Sequence, residues 1–440
     1  MASAAAAFDG DIRGQIETGP MTTFQLVALG ICWTINMLDG FDVLAIAFTA
    51  PEVSREWGLE PTALGIVFSA GLFGMMAGAL LLAPLGDYFG RRLTILGGLA
   101  TITGGMIATA YVDNVYAMVL MRVITGLGIG AILASLTTMT AEYSSNRRRN
   151  LSISFMHAGY PIGAIIGGLI SVYLIHAFGW RSVFIFGGAA SAIMMPLVYF
   201  LLPESVNYLL DKQPRHALRD VNAIAARCKL PPLDSLPDRP SADKAPRISV
   251  AALFSRDYLA ATLALWLAFF LSMVALYFLL NWMPKVIVNA GLSADQGRFA
   301  GVLMNAGGAL AMTLLGWLSA KFGLIRLIQI YFLISAVMIM IFATAPLSTG
   351  LLMVFAFLMG SVMAGLVGLY SVAARLYPTQ IRNTGVGWAI GVGRWGAVFG
   401  PAAAGWMIAV ELERWTYFLA LAAAPAVLAA MAVGLIKLRA

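Results

Sequence analysis

Read from its amino terminus, the chain is a succession of apolar runs separated by short polar breaks. Twelve runs can be drawn, at roughly 24–50, 61–86, 92–111, 115–142, 151–177 and 181–201, then 258–283, 297–320, 326–345, 349–374, 383–410 and 415–437. A helix rising about 1.5 Å per residue needs about 20 apolar residues to cross a hydrocarbon core of about 30 Å, and these runs meet that length. Leu351–Leu369 is apolar on every face rather than alternating, which excludes a transmembrane β-barrel. The pattern predicts an all-α membrane protein whose twelve transmembrane helices form two pseudo-symmetric six-helix bundles. The expected units are a disordered tail (1–23), a first bundle (24–201), a long polar loop (202–257), a second bundle (258–437) and a short tail (438–440). A short helix is expected in the loop around Pro214–Cys228.

Composition narrows the class. Of 440 residues, 60% are hydrophobic and 11% charged, with mean hydropathy +0.85, whereas soluble domains carry about 25% charged residues. A soluble enzyme, a secreted disulfide scaffold and a disordered chain are excluded. The net charge of +7 does not point to nucleic acid, because the basic residues are scattered through loops. With both termini on one side, that side holds 12 Lys and Arg in its short loops and tails and the other side 5. The positive-inside rule therefore predicts cytoplasmic termini. The first residues lack the basic start and cleavage site of a signal peptide. Cys32 falls in the first run and Cys228 in the loop, which argues against a disulfide.

The halves repeat with an offset of 233: Gly74 meets Gly307, Gly90 meets Gly323, Arg149-Asn150 meets Arg382-Asn383, Gly167 meets Gly400 and Arg181 meets Arg414. Two related bundles place a site between them. Ionisable side chains inside a bilayer are costly and mark function by default. Asp39 and Asp42 share a face of the first span, Arg122 lies at similar depth in the fourth, and Arg394 lies near the midplane in the eleventh. Glu142 ends the fourth span. Asp39, Asp42, Arg122 and Glu142 are the proton-coupling candidates; the alternative is an ion-pair network that only holds the bundle together. Arg394, with the amides Asn36 and Asn305 and the aromatics Tyr277, Trp282 and Trp388, makes up the candidate substrate site. No metal or cofactor is expected.

Leu85-Gly-Asp87-Tyr-Phe-Gly90-Arg91-Arg92 resembles the signature loop of the major facilitator superfamily, with Ala83 and Tyr88 departing from it. Arg122-Val-Ile-Thr-Gly126 resembles its fourth-span motif tied to proton coupling, and Pro203-Glu204-Ser205 its sixth-span closing motif. Asp39-Gly40-Phe41-Asp42 and Tyr377–Gly385 with Gly393-Arg394 resemble the aromatic acid:H⁺ symporter family. The resemblance implies a cytoplasmic gate at Asp87, Arg91 and Arg92. It also implies import of a benzoate- or hydroxybenzoate-class acid with protons, by a monomer in the bacterial inner membrane. An antiporter exporting aromatic or drug-like compounds is the alternative within transport; a ligand-sensing receptor is the alternative outside it.

Overall fold

A computed structural model describes residues 12–237, 253–256, 258–345, 348–377 and 379–436, without the side chains of 150, 320, 374 and 379–384. The outermost tail residues, including 438–440, and Pro378 of the eleventh-span motif lie outside the described residues. Twelve long helical stretches run in order: α1 Thr23–Trp57, α2 Pro61–Ala77 continued through Gly78–Leu82, α3 Arg91–Thr109, α4 Val115–Glu142, α5 Arg149–Phe178 and α6 Arg181–Leu201. The second six are α7 Leu259–Asn289, α8 Ala294–Phe322, α9 Leu324–Thr344, α10 Thr349–Met359 with Val362–Leu376, α11 Thr379–Ala409, and α12 Arg414–Phe418 continued to Gly434. Among the described residues there is no strand, and 10 of these stretches are long and apolar enough by composition to cross a membrane. The exceptions, α3 and α11, are diluted by glycine, threonine and arginine.

Capping sets several starts. Thr22 and Gln25 form a capping box on α1, and Ser293 and Gln296 form one on α8. Gly58 at φ 61° closes α1. Two helices outrun their apolar stretches, because the polar residues that end the run are paired. α1 continues through Glu52, held by Arg298, and α7 through Lys285, whose Nζ bonds Ser54 Oγ at 3.0 Å.

Within the first half α1 packs on α5, α3 on α4 and α6, and α2 on α4; in the second α7 packs on α11, α8 on α10, and α9 on α12. The 233-residue offset holds for contacts as well as residues. A Cβ on Gly163 would collide with the Met37 backbone, and one on Gly396 with Phe270, the positions 233 further on. Gly167 against Phe41 is matched by Gly400 against Val274. Both pairs set a close helix approach that only a missing side chain allows.

The face bearing the termini carries extra helices. Ile12–Thr18 is helical rather than a disordered tail: Ile12 and Ile16 are buried, Arg13 pairs with Asp211, and Glu17 accepts from Arg149 at 2.6 Å. The polar segment after α6 forms Val206–Lys212 and Ala217–Arg227.

Candidate functional site

α1 carries Asn36, Asp39 and Asp42 at three-residue spacing, so they share one buried face. Asp39 Oδ2 and both oxygens of Asp42 are buried without a hydrogen-bond partner. Asp42 lies in the field of Arg122 and beside Ser191 of α6. The Arg122 guanidinium bonds elsewhere: Nη2 donates to Thr109 Oγ1 at 2.9 Å and Thr125 Oγ1 at 3.3 Å, and the group sits 5.0 Å over the Phe184 ring. No ion pair closes between them, so this conformation does not use the three charges as a structural clamp. Asp42 and Arg122 line a small cavity of about 20 Å³, with Thr125, Phe68 and, from the second half, Asn281. An unpaired carboxylate beside a cavity with room for about one water can exchange a proton with it; a closed ion pair could not do so without breaking.

Across the interface, α11 presents Arg394. Its Nη1 is buried and unpartnered, and the guanidinium faces the hydroxyls of Tyr277 (α7), Tyr370 (α10) and Tyr160 (α5). A cation ringed by neutral phenol donors is a receptor for a carboxylate: the guanidinium offers a planar fork and the phenols add single donors. Tyr160 also lies in the field of Asp39, so it joins the two charged groups. Tyr160 is absent from the sequence expectation, whereas Tyr370 is one of the span aromatics that the sequence offers as able to stack on a planar ligand. The repeat gave a clue, since the counterpart of Arg394 is Pro161, one residue from Tyr160.

The other expected residues scatter. Asn36 Nδ2 donates to Met156 O at 2.7 Å and so ties α1 to α5. Trp282 Nε1 donates to Pro401 O at 3.0 Å, and its ring packs edge-on against Phe68. Trp388 is 46% exposed and stacks on Trp266 at 5.8 Å. Asn305 Nδ2 bonds Gly301 O at 2.9 Å, leaving its Oδ1 buried and unpaired. Glu142 is not brought to the carboxylate pair. It lies about 30 Å along α4 from Arg122 by helix rise, and accepts from Ser205 Oγ at 2.6 Å and Asn207 N at 3.4 Å.

On the terminal face, Asp87 pairs with Arg91 at 2.7 Å, one helical turn away, and Arg92 bonds Tyr199 O. Both contacts stay within the first half, and among the described residues no ion pair or hydrogen bond carries this loop across to the second half. Glu204 anchors it, accepting from Arg91 N at 2.8 Å and Arg92 N at 3.2 Å and so capping α3 as an anion at a helix N-terminus. Gly90, at φ 100°, makes room for it: a Cβ there would strike the Glu204 carboxylate.

Among the described residues, the hydrogen bonds and ion pairs between halves lie from mid-depth to the opposite face. Ser69 Oγ donates to Val398 O at 2.6 Å, Lys285 reaches Ser54, and His176 meets Asp295 at 2.6 Å. Buried Arg298 bonds Glu52 and, at 3.3 Å, Phe48 O. The halves are fastened away from the termini.

The model of the Major Facilitator Superfamily matches residues 32–367 and 265–440. The chain is 35% identical to the 4-hydroxybenzoate transporter PcaK of Acinetobacter baylyi, covering 96% of this chain and 93% of that one. It is 33% identical to a gallate transporter of Pseudomonas putida, covering 98% and 96%. In three dimensions it resembles the inward open xylose transporter XylE from E. coli, with TM-score 0.73, 18% identity and coverage of 94% and 97%.

Proposed function

This chain belongs to the Major Facilitator Superfamily, and on that premise we propose that it imports a small aromatic carboxylate of the benzoate or hydroxybenzoate class together with protons, by alternating access. The observation that supports the reading is the guanidinium of Arg394, its Nη1 buried without a partner, among three phenols, set across the interface from carboxylates whose Asp39 Oδ2 and Asp42 oxygens are likewise unpaired. Arg394, Tyr277 and Tyr370 bind the substrate carboxylate, while the partly apolar surroundings accept the ring. Asp39 and Asp42 load the proton, and Arg122, held by its threonines, biases Asp42 without neutralising it.

Coupling follows from electrostatics. Moving one anion inward against an inside-negative potential costs about 2.3 kcal/mol per 100 mV, and one co-transported proton cancels that cost. Further protons drive accumulation. The two halves, 24–201 and 258–437, rock about the fixed site in a monomer of the bacterial inner membrane. The termini and the 202–257 segment face the cytoplasm, as the 12-to-5 bias of Lys and Arg requires. Asp87, Arg91 and Arg92 form the cytoplasmic gate, open when the opposite face is fastened.

The test is uptake of labelled 4-hydroxybenzoate by energised right-side-out vesicles. External acid should raise wild-type accumulation, and Asp39→Asn should abolish accumulation while leaving substrate exchange. Wild-type accumulation by Asp39→Asn would remove Asp39 from the proton site. A fall in uptake on external acidification would favour the antiporter.

A further inference from the structure

The carboxylate couple lies in one half and the substrate cation in the other, so something must tell the second site whether the first is protonated. Tyr160 stands between them. Its hydroxyl is buried and leans toward Tyr277, bonding neither Oδ2 of Asp39 on one side nor Nη1 of Arg394 on the other, both of which are themselves buried without a hydrogen-bond partner. The hydroxyl lies in the field of Tyr277 (α7), Arg394 (α11) and Asp39 (α1). Asp39 is faced in turn by Asp42, and Asp42 by Arg122 of α4. On α5 itself the titratable neighbour is His157, one turn away. From α8, packed along α5, Asp295 engages His176 near the opposite face, well removed from Tyr160.

The backbone of Tyr160 is fixed. Gly40 leaves no Cβ between α1 and the Tyr160 carbonyl, and a Cβ there would overlap that oxygen. Gly159 packs likewise on Trp33, where a Cβ would come 2.8 Å from its carbonyl oxygen. The side chain can turn about its own bonds, but its root cannot retreat from either site.

We propose that Tyr160 is the positioning residue that makes substrate affinity depend on the protonation of Asp39. A phenol has a single O–H to donate. Ionised Asp39 attracts that donor and withholds it from the substrate. Protonated Asp39 is itself a donor, so the Tyr160 oxygen can accept from it while the O–H turns to the substrate carboxylate on Arg394. The chain Asp39 to Tyr160 to substrate then forms only when proton and substrate are both present, and each strengthens the other's binding.

The inference rests on the aromatic-acid reading above. Its test is calorimetric binding of 4-hydroxybenzoate to the purified full-length protein across the acid-to-neutral range. Wild-type affinity should weaken as pH rises. Tyr160→Phe should bind at all pH values as weakly as wild type does at the alkaline end, about tenfold below wild type in acid, the loss of one hydrogen bond to a charged group. Its thermal stability should change little, because the removed hydroxyl bonds neither charged group in this conformation and faces only another phenol. Tyr277→Phe, which faces Arg394, should weaken binding at every pH and keep the wild-type slope. A wild-type slope in Tyr160→Phe, a parallel loss at every pH, or a flattened Tyr277→Phe profile would each overturn the inference alone. Failure of wild type to bind 4-hydroxybenzoate, benzoate or gallate at any pH would overturn the functional reading, and this one with it.

Discussion

Arg298→Met tests whether the fastening at the opposite face sets which way the transporter opens. Arg298 has a side chain 1% exposed and reaches Glu52, 13% exposed, across the interface, while its second partner Asp295 is 41% exposed. The Asp295 arm is screened and within one helix, so it adds little. The Glu52 arm is buried, and deleting one member of such a pair strands the other charge at a cost of about 3–5 kcal/mol. Opening that face hydrates Glu52, so the penalty falls on the closed form alone. Even the lower value shifts the balance toward opening about a hundredfold, each 1.4 kcal/mol being about tenfold. Gly301 lies beneath the pair, and a Cβ there would meet Phe48 Cε1 at 3.4 Å and Pro284 Cγ at 3.8 Å, so cysteine fits. The native Cys32 and Cys228 are buried. In cells carrying Gly301→Cys, a membrane-impermeant maleimide should react about a hundredfold faster when Arg298→Met is added. Adding Glu52→Gln as well should restore most of the protection, since no stranded charge remains. Equal labelling with and without Arg298→Met would refute the reasoning, as would a triple variant that stays fast.

Two further predictions concern stability. Gly130 on α4 faces the Met75 carbonyl so closely that a Cβ would overlap it, whereas Gly97 on α3 has nothing within 4 Å. Gly130→Ala should therefore lower the melting temperature in detergent by the about 1–3 kcal/mol of overpacking. Gly97→Ala should raise it, through about 0.8–1 kcal/mol of helix propensity; equal shifts would discount the packing argument. On the terminal face, burial raises the Glu204 carboxyl above its ordinary range, against three backbone N–H donors and Arg91. The folded state then holds that proton more tightly than the unfolded chain. Its contribution is full below the unfolded pKa of about 4.3 and is lost as pH rises through the folded value. Glu204→Gln should flatten that part of the stability-against-pH curve, measured by thermal unfolding; an unaltered slope would clear Glu204.

The helices were legible because length and apolarity set them directly, and α4 and α6 begin and end where the runs do. Misreadings fall where polar residues are satisfied by distant partners. Glu52 and Lys285 read as span ends, yet both lie within helices because Arg298 and Ser54 meet them from the other half. Ile12–Thr18 reads as tail because its two isoleucines are too few to mark a helix, and their burial depends on elements far along the chain. At the candidate site, charge inside apolar runs singled out Asp39, Asp42, Arg122 and Arg394 as candidates. It could not single out Tyr160, because tyrosine is unremarkable in a membrane helix until a buried cation stands beside it. Nor could it show that Glu142 lies far along α4 from Arg122, with one oxygen held by Ser205 and the other buried and unpaired.

The repeat explains why these residues stand where they do. Gly40 and Tyr160 meet between α1 and α5; 233 residues on, Met273 and Gly393 meet between α7 and α11, with a Gly393 Cβ 3.4 Å from the Met273 sulfur. The glycine has changed sides. In the first half the small residue is on the helix carrying the carboxylates, which brings the α5 backbone hard against them and leaves α5 to carry the tyrosine. In the second half the small residue is on α11, next to Arg394, so the cation-bearing helix is the one that yields its side chain. Two related contacts, resolved in opposite ways, put a phenol and a guanidinium at adjoining repeat positions on paired helices. A strictly symmetric pair would supply two cations or two phenols. Broken as it is, the pair supplies one group that holds an anion and one donor that both an anion and a carboxylic acid can engage, and coupling a proton to an acid requires that combination.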